Sequence, residues 1–189
     1  MSAEQMIHST AKIMDGAILQ GSITIGAHTF VAAGAVITAH NGSIQIGSNT
    51  VIMENAVIRS SVKFNCKIGN NVLIGPKACV TGATIADCCF VATNGTVFQG
   101  SVVSSGTVLA VNGIIHINSF CPANTFIPIS HIAFGKPARI YSPAEINDFH
   151  EDLNKTGFTK YVYDINTTGL SNAEIYRNLT EKILQTVLD

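Results

Sequence analysis

Aliphatic residues recur at six-residue intervals through most of the chain, and many are followed by glycine or another small residue. In the stretch IGNNVLIGPKACV, for example, Ile68, Ile74 and Val80 follow one another at this interval. An amphipathic helix repeats its apolar positions near 3.6 residues and a half-buried strand near 2, so the pattern indicates an internal repeat. The repeated aliphatic positions are Ile25, Val31, Ile37, Ile46, Ile52, Ile58, Ile68, Ile74, Val80, Ile85, Val91, Val97, Val103 and Leu109.

Each six-residue unit predicts a short strand followed by a tight corner. The leading aliphatic residue points inward, and the small residues that follow it let the chain bend. Three units close a triangular coil, and coils stacked about 4.8 Å apart pair their strands in parallel. From Ala11 to about Ile132 the chain predicts roughly seven coils, a solenoid whose coils are not stable singly. The general preference of parallel crossovers favours right-handed winding.

The units IGSNTV, IGNNVL and IGPKAC resemble the isoleucine-patch proteins of the hexapeptide-repeat superfamily. The order of motifs, ending in FGKPARI, most resembles the gamma-class carbonic anhydrase-like branch over about residues 11 to 146. The resemblance implies an all-β solenoid, a left-handed parallel β-helix, despite the general preference for right-handed crossovers. It also implies a homotrimer.

Two helices are predicted after the repeats. Ser142 and Glu145 form a capping box with Pro143 at the first helical position, and this helix should end near Gly157. A linker precedes a second capping box at Ser171 and Glu174. The terminal helix carries an apolar stripe at Ile175, Leu179, Ile183 and Val187. That stripe either covers the prism of its own chain or packs on a neighbouring subunit.

The sequence predicts three parts: an N-terminal segment (1–10), the β-helix domain (11–141) and a C-terminal helical appendage (142–189). Charged residues make up only 12% of the 189 residues and the net charge is −1. No basic cluster suits nucleic acid, and no stretch is long and apolar enough for a membrane span. The absence of a signal-peptide pattern predicts a cytoplasmic protein. Five cysteines without a CxxC pair suggest reduced thiols and no disulfide framework.

The resemblance implies three zinc-binding histidines between two subunits, and alignment of the repeats places Arg59, Pro76 and Thr81 at their positions. Proline has no donor atom, arginine is a permanent cation, and threonine is a poor zinc ligand. The separation of Arg59 and Pro76 along the chain is close to the length of one coil, which predicts that they are neighbours. The sequence therefore predicts a degenerate metal site.

The residues around this site also depart from the family pattern. Where the resemblance implies an Arg-Gly-Asp stretch, this chain has Thr38, Ala39 and His40, and a Gln-Asp pair is replaced by Met53 and Glu54. His40, Glu54 and Arg59 could converge in a trimer, either as the start of another metal site or as a salt-bridged patch at a subunit interface. We expect the patch, since one ion pair does not make a zinc site.

His116, in NGIIHINSF, is a candidate for a catalytic residue. Acyltransferases with the same prism use a histidine as general base while acyl-CoA lies along the coils, so the resemblance to them implies that role for His116 and acetyl-CoA as cofactor. The alternative is a surface histidine on a strand, since strand alternation between Ile115 and Ile117 turns its side chain outward.

Together these observations predict a gamma carbonic anhydrase-like protein without zinc-dependent activity. Its predicted role is structural or small-ligand binding, as a trimer with possible protein partners and no cofactor. An acyl-CoA-dependent acyltransferase is the alternative function.

Overall fold

The computed structural model describes the backbone of residues 5–61 and 63–188 and the side chains as far as residue 185. It confirms the expected fold class, a left-handed parallel β-helix of about seven turns followed by helices. The strands form three flat faces, here called A, B and C. Two long strands, β3 (Ile18–Ile25) and β5 (Val36–Ile46), turn a corner and contribute to both face C and face A.

Face A contains the second halves of β3 (Ile18–Ile25) and β5 (Val36–Ile46). Its other strands are β1 (Gln5–Ile7), β8 (Cys66–Ile68), β11 (Thr84–Ile85), β14 (Val102–Val103) and β17 (Phe120–Cys121). Face B contains β2 (Lys12–Ile13), β4 (Phe30–Val31), β6 (Val51–Ile52), β9 (Leu73–Ile74), β12 (Phe90–Val91), β15 (Val108–Leu109) and β18 (Phe126–Ile127).

Face C contains the first halves of β3 and β5. They are followed by β7 (Val57–Ser60), β10 (Cys79–Thr81), β13 (Thr96–Val97), β16 (Ile114–Ile115) and β19 (Ile132–Phe134). All these neighbours pair in parallel, and within the described ranges only β20 (Arg139–Tyr141) runs antiparallel, on β19. Strand β1 lies within the predicted N-terminal segment and pairs with β3, so the ladder extends into that segment.

The repeated aliphatic residues form the core, as predicted. Those of successive coils face one another in register, for example Ile58 with Val80 and Val80 with Val97. The side chains of Ile37, Ile58, Ile74 and Ile115 are completely buried. The predicted slip after Val80 is confirmed, because Ile85 pairs with Ile68, one position short of three full six-residue units.

The corners differ from the sequence-based expectation. The glycine after the aliphatic residue was expected to make the bend, but the left-handed residue stands two positions later and is usually asparagine, which tolerates positive φ. These asparagines are Asn49, Asn55, Asn71, Asn94, Asn112, Asn118 and Asn124. The glycines instead allow adjacent coils to pack closely, because a Cβ at these positions would collide with the backbone of the next coil. A Cβ on Gly75 would lie 2.8 Å from the Thr93 nitrogen and 2.9 Å from the Ala92 carbonyl carbon.

The chain divides between Ala144 and Glu145 into two compact units. At this boundary, Pro143–Glu145 forms a single 3-10 turn and leads into α1 (Ile146–Thr156). The predicted end of this helix at Gly157 is confirmed, since Gly157 has a φ of 70°. The linker expected after it contains a short helix, α2 (Phe158–Tyr163).

The last helix, α3 (Asn172–Leu188), begins as predicted. The Glu174 carboxylate accepts hydrogen bonds from the Ser171 backbone N–H at 2.8 Å and the Ser171 hydroxyl at 2.6 Å, which confirms the capping box. Within the stripe, Ile175 and Leu179 are half-buried and Ile183 is exposed. The side chain of Val187 lies outside the described residues.

Candidate functional site

One column of residues at the end of face C contains several of the predicted site residues. Gln20, Thr38, Arg59 and Thr81 pair directly in adjacent strands. Phe98, His116 and Phe134 continue this column, here called the C-edge column, in the next three coils. Because adjacent parallel strands are about 4.8 Å apart, Arg59 and His116 are separated by about 14 Å along it.

Arg59 lies between two threonines in the C-edge column. Thr38 is 8% exposed, and the hydroxyl of the half-buried Thr81 donates a hydrogen bond to the Val97 carbonyl at 3.3 Å. Arg59 is exposed and forms no ion pair or side-chain hydrogen bond with any residue of the described ranges. Burial raises the pKa of the Cys79 thiol, and the positive charge of the Arg59 guanidinium offsets part of this rise.

Pro76 is not a neighbour of Arg59, contrary to the prediction from their separation along the chain. The corner that follows Arg59 is longer than a regular one, so Arg59 pairs with Thr81 in the next coil. Pro76 lies at the opposite edge of face C, at the corner between faces B and C, where its carbonyl accepts a hydrogen bond from the Asn94 N–H at 3.1 Å. A single chain therefore brings Arg59 and Thr81 together but not Pro76.

Met53 and Glu54 are at the same corner as Pro76, one coil earlier. The Glu54 carbonyl accepts a hydrogen bond from the Lys77 N–H at 3.0 Å, and the Glu54 side chain is exposed. His40 lies two positions after Thr38 in the lengthened corner of β5 and is half-buried. Within one chain, His40 and Arg59 are thus near the corner between faces C and A, while Glu54 is at the other edge of face C.

The donor atoms at these positions do not fit zinc. Arg59 is cationic, Pro76 has no side-chain donor, and the Thr81 hydroxyl is already engaged with a carbonyl. Among the residues that the structure describes, no three His, Cys, Asp or Glu side chains gather where they could hold a metal ion. No step of a zinc-dependent reaction can be derived from this arrangement.

His116 is not the surface strand residue that one interpretation predicted. Strand β16 ends at Ile115, and the half-buried His116 ring lies between two aromatic rings, with centroid distances of 5.0 Å to Phe98 and 5.8 Å to Phe134. Burial lowers the pKa of His116 to about 4. The imidazole is therefore neutral near pH 7, but a group with so low a pKa is a weak general base.

Sequence reasoning missed the aromatic partners of His116. Phe98, His116 and Phe134 recur at the length of one regular coil, and this spacing is the signal that could have identified them. The five cysteines are free thiols, as expected. Burial raises the pKa of Cys66 to about 12 and that of Cys121 to about 11, whereas Cys88 is exposed.

No family model matches the chain. It is 34% identical over 92 residues to a probable carbonic anhydrase of Methanocaldococcus jannaschii, covering 49% of this chain and 58% of that protein. It is 30% identical over 89 residues to mitochondrial gamma carbonic anhydrase 2 of Arabidopsis thaliana, covering 44% of this chain and 32% of that one. The chain thus spans only part of the length of these curated relatives.

Solved structures with similar folds include a putative acetyltransferase of Bacillus cereus, with a TM-score of 0.45, 16% identity, and coverage of 97% and 94% of the two chains. Another is a UDP-N-acetylglucosamine O-acyltransferase of Moraxella catarrhalis, with a TM-score of 0.48, 18% identity, and coverage of 98% and 93%.

No helix within the described ranges is both long and apolar enough to cross a bilayer. The repeats and the named relatives identify the chain as a hexapeptide-repeat β-helix protein similar to the gamma-class carbonic anhydrases.

Proposed function

We propose that this protein is a non-catalytic, structural member of the gamma carbonic anhydrase-like group that acts as a homotrimer, without zinc. The observation that carries the proposal is the position of Arg59, a permanent cation in register between Thr38 and Thr81. A zinc dication and its bound hydroxide require neutral or anionic donors at these positions. A cytoplasmic location and interaction with protein partners remain predictions.

The first experiment measures zinc per chain and carbon dioxide hydration in the purified full-length protein. We expect less than about a tenth of a zinc ion per chain and no hydration above the uncatalysed rate. Stoichiometric zinc that disappears when Arg59 or Thr81 is substituted would overturn the proposal. Zinc bound by denatured protein through the cysteines is excluded by requiring native circular dichroism in the same sample.

A gain-of-function variant tests the register of the site. In Arg59→His/Pro76→His/Thr81→His, the histidines at positions 59 and 81 of one copy would meet the histidine at position 76 of the next copy in the proposed trimer, and we expect about one zinc per chain. The matched control places three histidines far apart on exposed positions, Gln45→His/Ser105→His/Val111→His, and should bind much less zinc. A folded trimer of the first variant that binds no more zinc than the control would contradict the alignment.

The alternative acyltransferase is less well supported, because the low pKa of His116 makes it a poor base. Thermal unfolding with saturating acetyl-CoA separates the two functions. A ligand at a hundred times its dissociation constant stabilises the folded state by about 2.7 kcal/mol. We expect no shift of the melting temperature. A shift that is lost in His116→Ala would favour the acyltransferase over the structural role.

A further inference from the structure

The two ends of the β-helix differ in how well the core is covered. At the last coil the core residues of the three faces, Cys121, Ile127 and Ala133, are completely buried, and β20 folds back on β19. At the first coil Ile7 is 40% exposed, although Ile25, its neighbour in the next coil, is only 1% exposed. Within the described residues, the core is therefore closed at the last coil and open at the first coil.

Each face has an unpaired strand edge at this open end. Among the described strands, β1, β2 and the first half of β3 pair only with the second coil. The backbone N–H groups that bond to the second coil belong to alternate residues, His8, Lys12, Met14 and Ile18. Because successive residues of a strand direct their peptide groups to opposite sides, Ile7, Ile13 and Leu19 direct theirs out of the open end. Such an edge is a template for pairing with another chain.

The spacing of these three residues fits a twofold contact with a second copy. Ile7 and Leu19 stand six residues before and after Ile13. A twofold axis through Ile13, perpendicular to the prism, therefore places Ile13 opposite Ile13 of the second copy, and Ile7 opposite its Leu19. In each pair both peptide groups point into the contact, as in the hydrogen-bonded pairs of antiparallel strands, and both side chains point into the core.

The rise of the coil selects face B for this axis. Each coil rises about 4.8 Å, so successive faces differ in height by about 1.6 Å. Strand β1 is lower than β2 by this amount, and the first half of β3 is higher by the same amount. With the axis at β2, a low edge meets a high edge on both other faces, and every pair of edges is about 4.8 Å apart. An axis on face A would leave gaps of about twice this spacing, and an axis on face C would make edges collide.

Opposite charges flank β2. Lys12 begins the strand and Asp15 follows it closely, and both side chains are exposed. Neither forms an ion pair or hydrogen bond with a residue of the described ranges. Rotation about Ile13 brings Lys12 opposite Met14 of the second copy, beside its Asp15, and the reciprocal pair forms at the same time. Charges at the rim of a contact favour one register in this way.

We propose that the open first coil binds the first coil of a second copy, edge to edge, about a twofold axis at Ile13. A second copy is the occupant because the strand edges, the core spacing and the flanking charges are all self-complementary. The contact covers the exposed side chain of Ile7. In the separate chain the Gln5 side-chain amide donates a hydrogen bond to the Leu19 carbonyl at 3.0 Å, and in the pair the N–H of Ile7 from the second copy takes this acceptor. The contact requires neither the proposed homotrimer nor the absence of zinc.

Proline at position 13 tests the edge pairing in the full chain. Ile13→Pro removes an N–H that points out of the open end, so the bonds between coils within the chain are kept. Sedimentation and light scattering over a range of protein concentrations measure association. We expect wild-type assemblies with at least twice as many chains as those of the variant, or a dissociation constant at least tenfold lower. Equal association of the two proteins, both with native circular dichroism, would overturn the proposal.

A single cysteine tests the position of the axis, because only residue 13 opposes itself. In a Cys88→Ser background, which removes the exposed thiol, Ile13→Cys should form a covalent dimer under mild oxidation. The expected Cα separation of about 5.5 Å lies within the range of disulfides. The matched control is Ile18→Cys, 54% exposed at the same end, which opposes His8 of the second copy and should stay uncrosslinked. Equal crosslinking of the two variants, or no dimer of a natively folded Ile13→Cys, would show that the contact is wrong.

Discussion

The coils before Ile68 and those after it differ in regularity. After Ile85, core residues pair at one constant interval along the chain, as in Ile85 with Val103 and Val103 with Cys121. Between Ile25 and Ile68 the intervals are longer, both from Ile25 to Ile46 and from Ile46 to Ile68, whereas Ile7 pairs with Ile25 at the regular interval. The extra length lies at the corner between faces C and A, in the middle of β5 and after β7.

The difference shows that the two regions have the same kind of buried core but different outer surfaces. Core aliphatic residues are equally buried in both, whereas the polar and charged candidates Thr38, His40 and Arg59 adjoin the lengthened corners. In the regular coils the same column carries Phe98, His116 and Phe134, where the His116 ring contacts both phenyl rings. Added length changes the outside of the prism at one corner while leaving the stacked core intact.

The largest expected effect tests the shared interior. Ile37→Ala, in a lengthened coil, and Ile115→Ala, in a regular coil, each remove a fully buried side chain, and each should lower the free energy of unfolding by about 2–5 kcal/mol. Chemical denaturation at one protein concentration measures both, because association adds to apparent stability. Ile18→Ala, at a position 54% exposed, is the control and should cost much less. A marked difference between the two core variants would contradict a shared interior.

The next effect concerns close packing between coils. A Cβ on Gly47 would lie 2.6 Å from the Gly69 carbonyl carbon, and one on Gly75 would lie 2.8 Å from the Thr93 nitrogen. Gly47→Ala and Gly75→Ala should each lower the free energy of unfolding by about 1–3 kcal/mol, as overpacking does. Thermal and denaturant unfolding would measure this. If Gly47→Ala is neutral and Gly75→Ala is not, the lengthened coils pack more loosely than the structure indicates.

A smaller effect is expected at the regular corners. Asn112 has a φ of 57°, where an alanine side chain meets steric strain, so Asn112→Ala should lower the free energy of unfolding by about 1 kcal/mol. Asn112→Gly is the matched variant, since glycine adopts this conformation without strain, and it should be close to neutral. Equal losses for the two variants would show that the asparagine side chain, and not its backbone conformation, matters.

The smallest effect is the pH dependence contributed by His116. Its pKa is about 4 when folded against an ordinary value of 6.5, so the unfolded state binds more protons between these values. The contribution of the neutral His116 imidazole to the free energy of unfolding should therefore be fully present above pH 6.5 and be lost as the pH falls towards 4. His116→Phe should show a shallower decline of unfolding free energy from about pH 7 to about pH 4.5 than the wild type. Parallel declines would contradict burial of the imidazole.

Much of the fold could be predicted because the six-residue period recurs in many consecutive units. Local pattern and chemistry predict the burial of the repeated aliphatic residues from Ile25 to Leu109. They also predict the slip at Ile85 and the capping box at Ser171. The role of the corner asparagines was missed because the repeat marks the glycine more clearly than the asparagine two positions later. The short helix at Phe158–Tyr163 lacked a periodic signal long enough to recognise.

The candidate site was less predictable because it depends on register between coils. The residue types at positions 59, 76 and 81 already exclude good zinc ligands, whatever the register. Which of them are neighbours does not follow from separation along the chain, because the added length of one corner makes Thr81, and not Pro76, the partner of Arg59. The contact of His116 with Phe98 and Phe134 was missed for the same reason, because it also depends on the register between coils.

The sequence by itself determined that the chain forms a stacked prism with an aliphatic interior, because a period of six places one inward aliphatic residue on every face. It also determined the chemistry available at the family's metal positions. Only the tertiary structure decided that Arg59 stands between Thr38 and Thr81, that Glu54 lies across face C from it, and that His116 is held between aromatic rings. The physical reason is that parallel strand pairing joins residues about one coil apart, and the length of each coil is set at its corners.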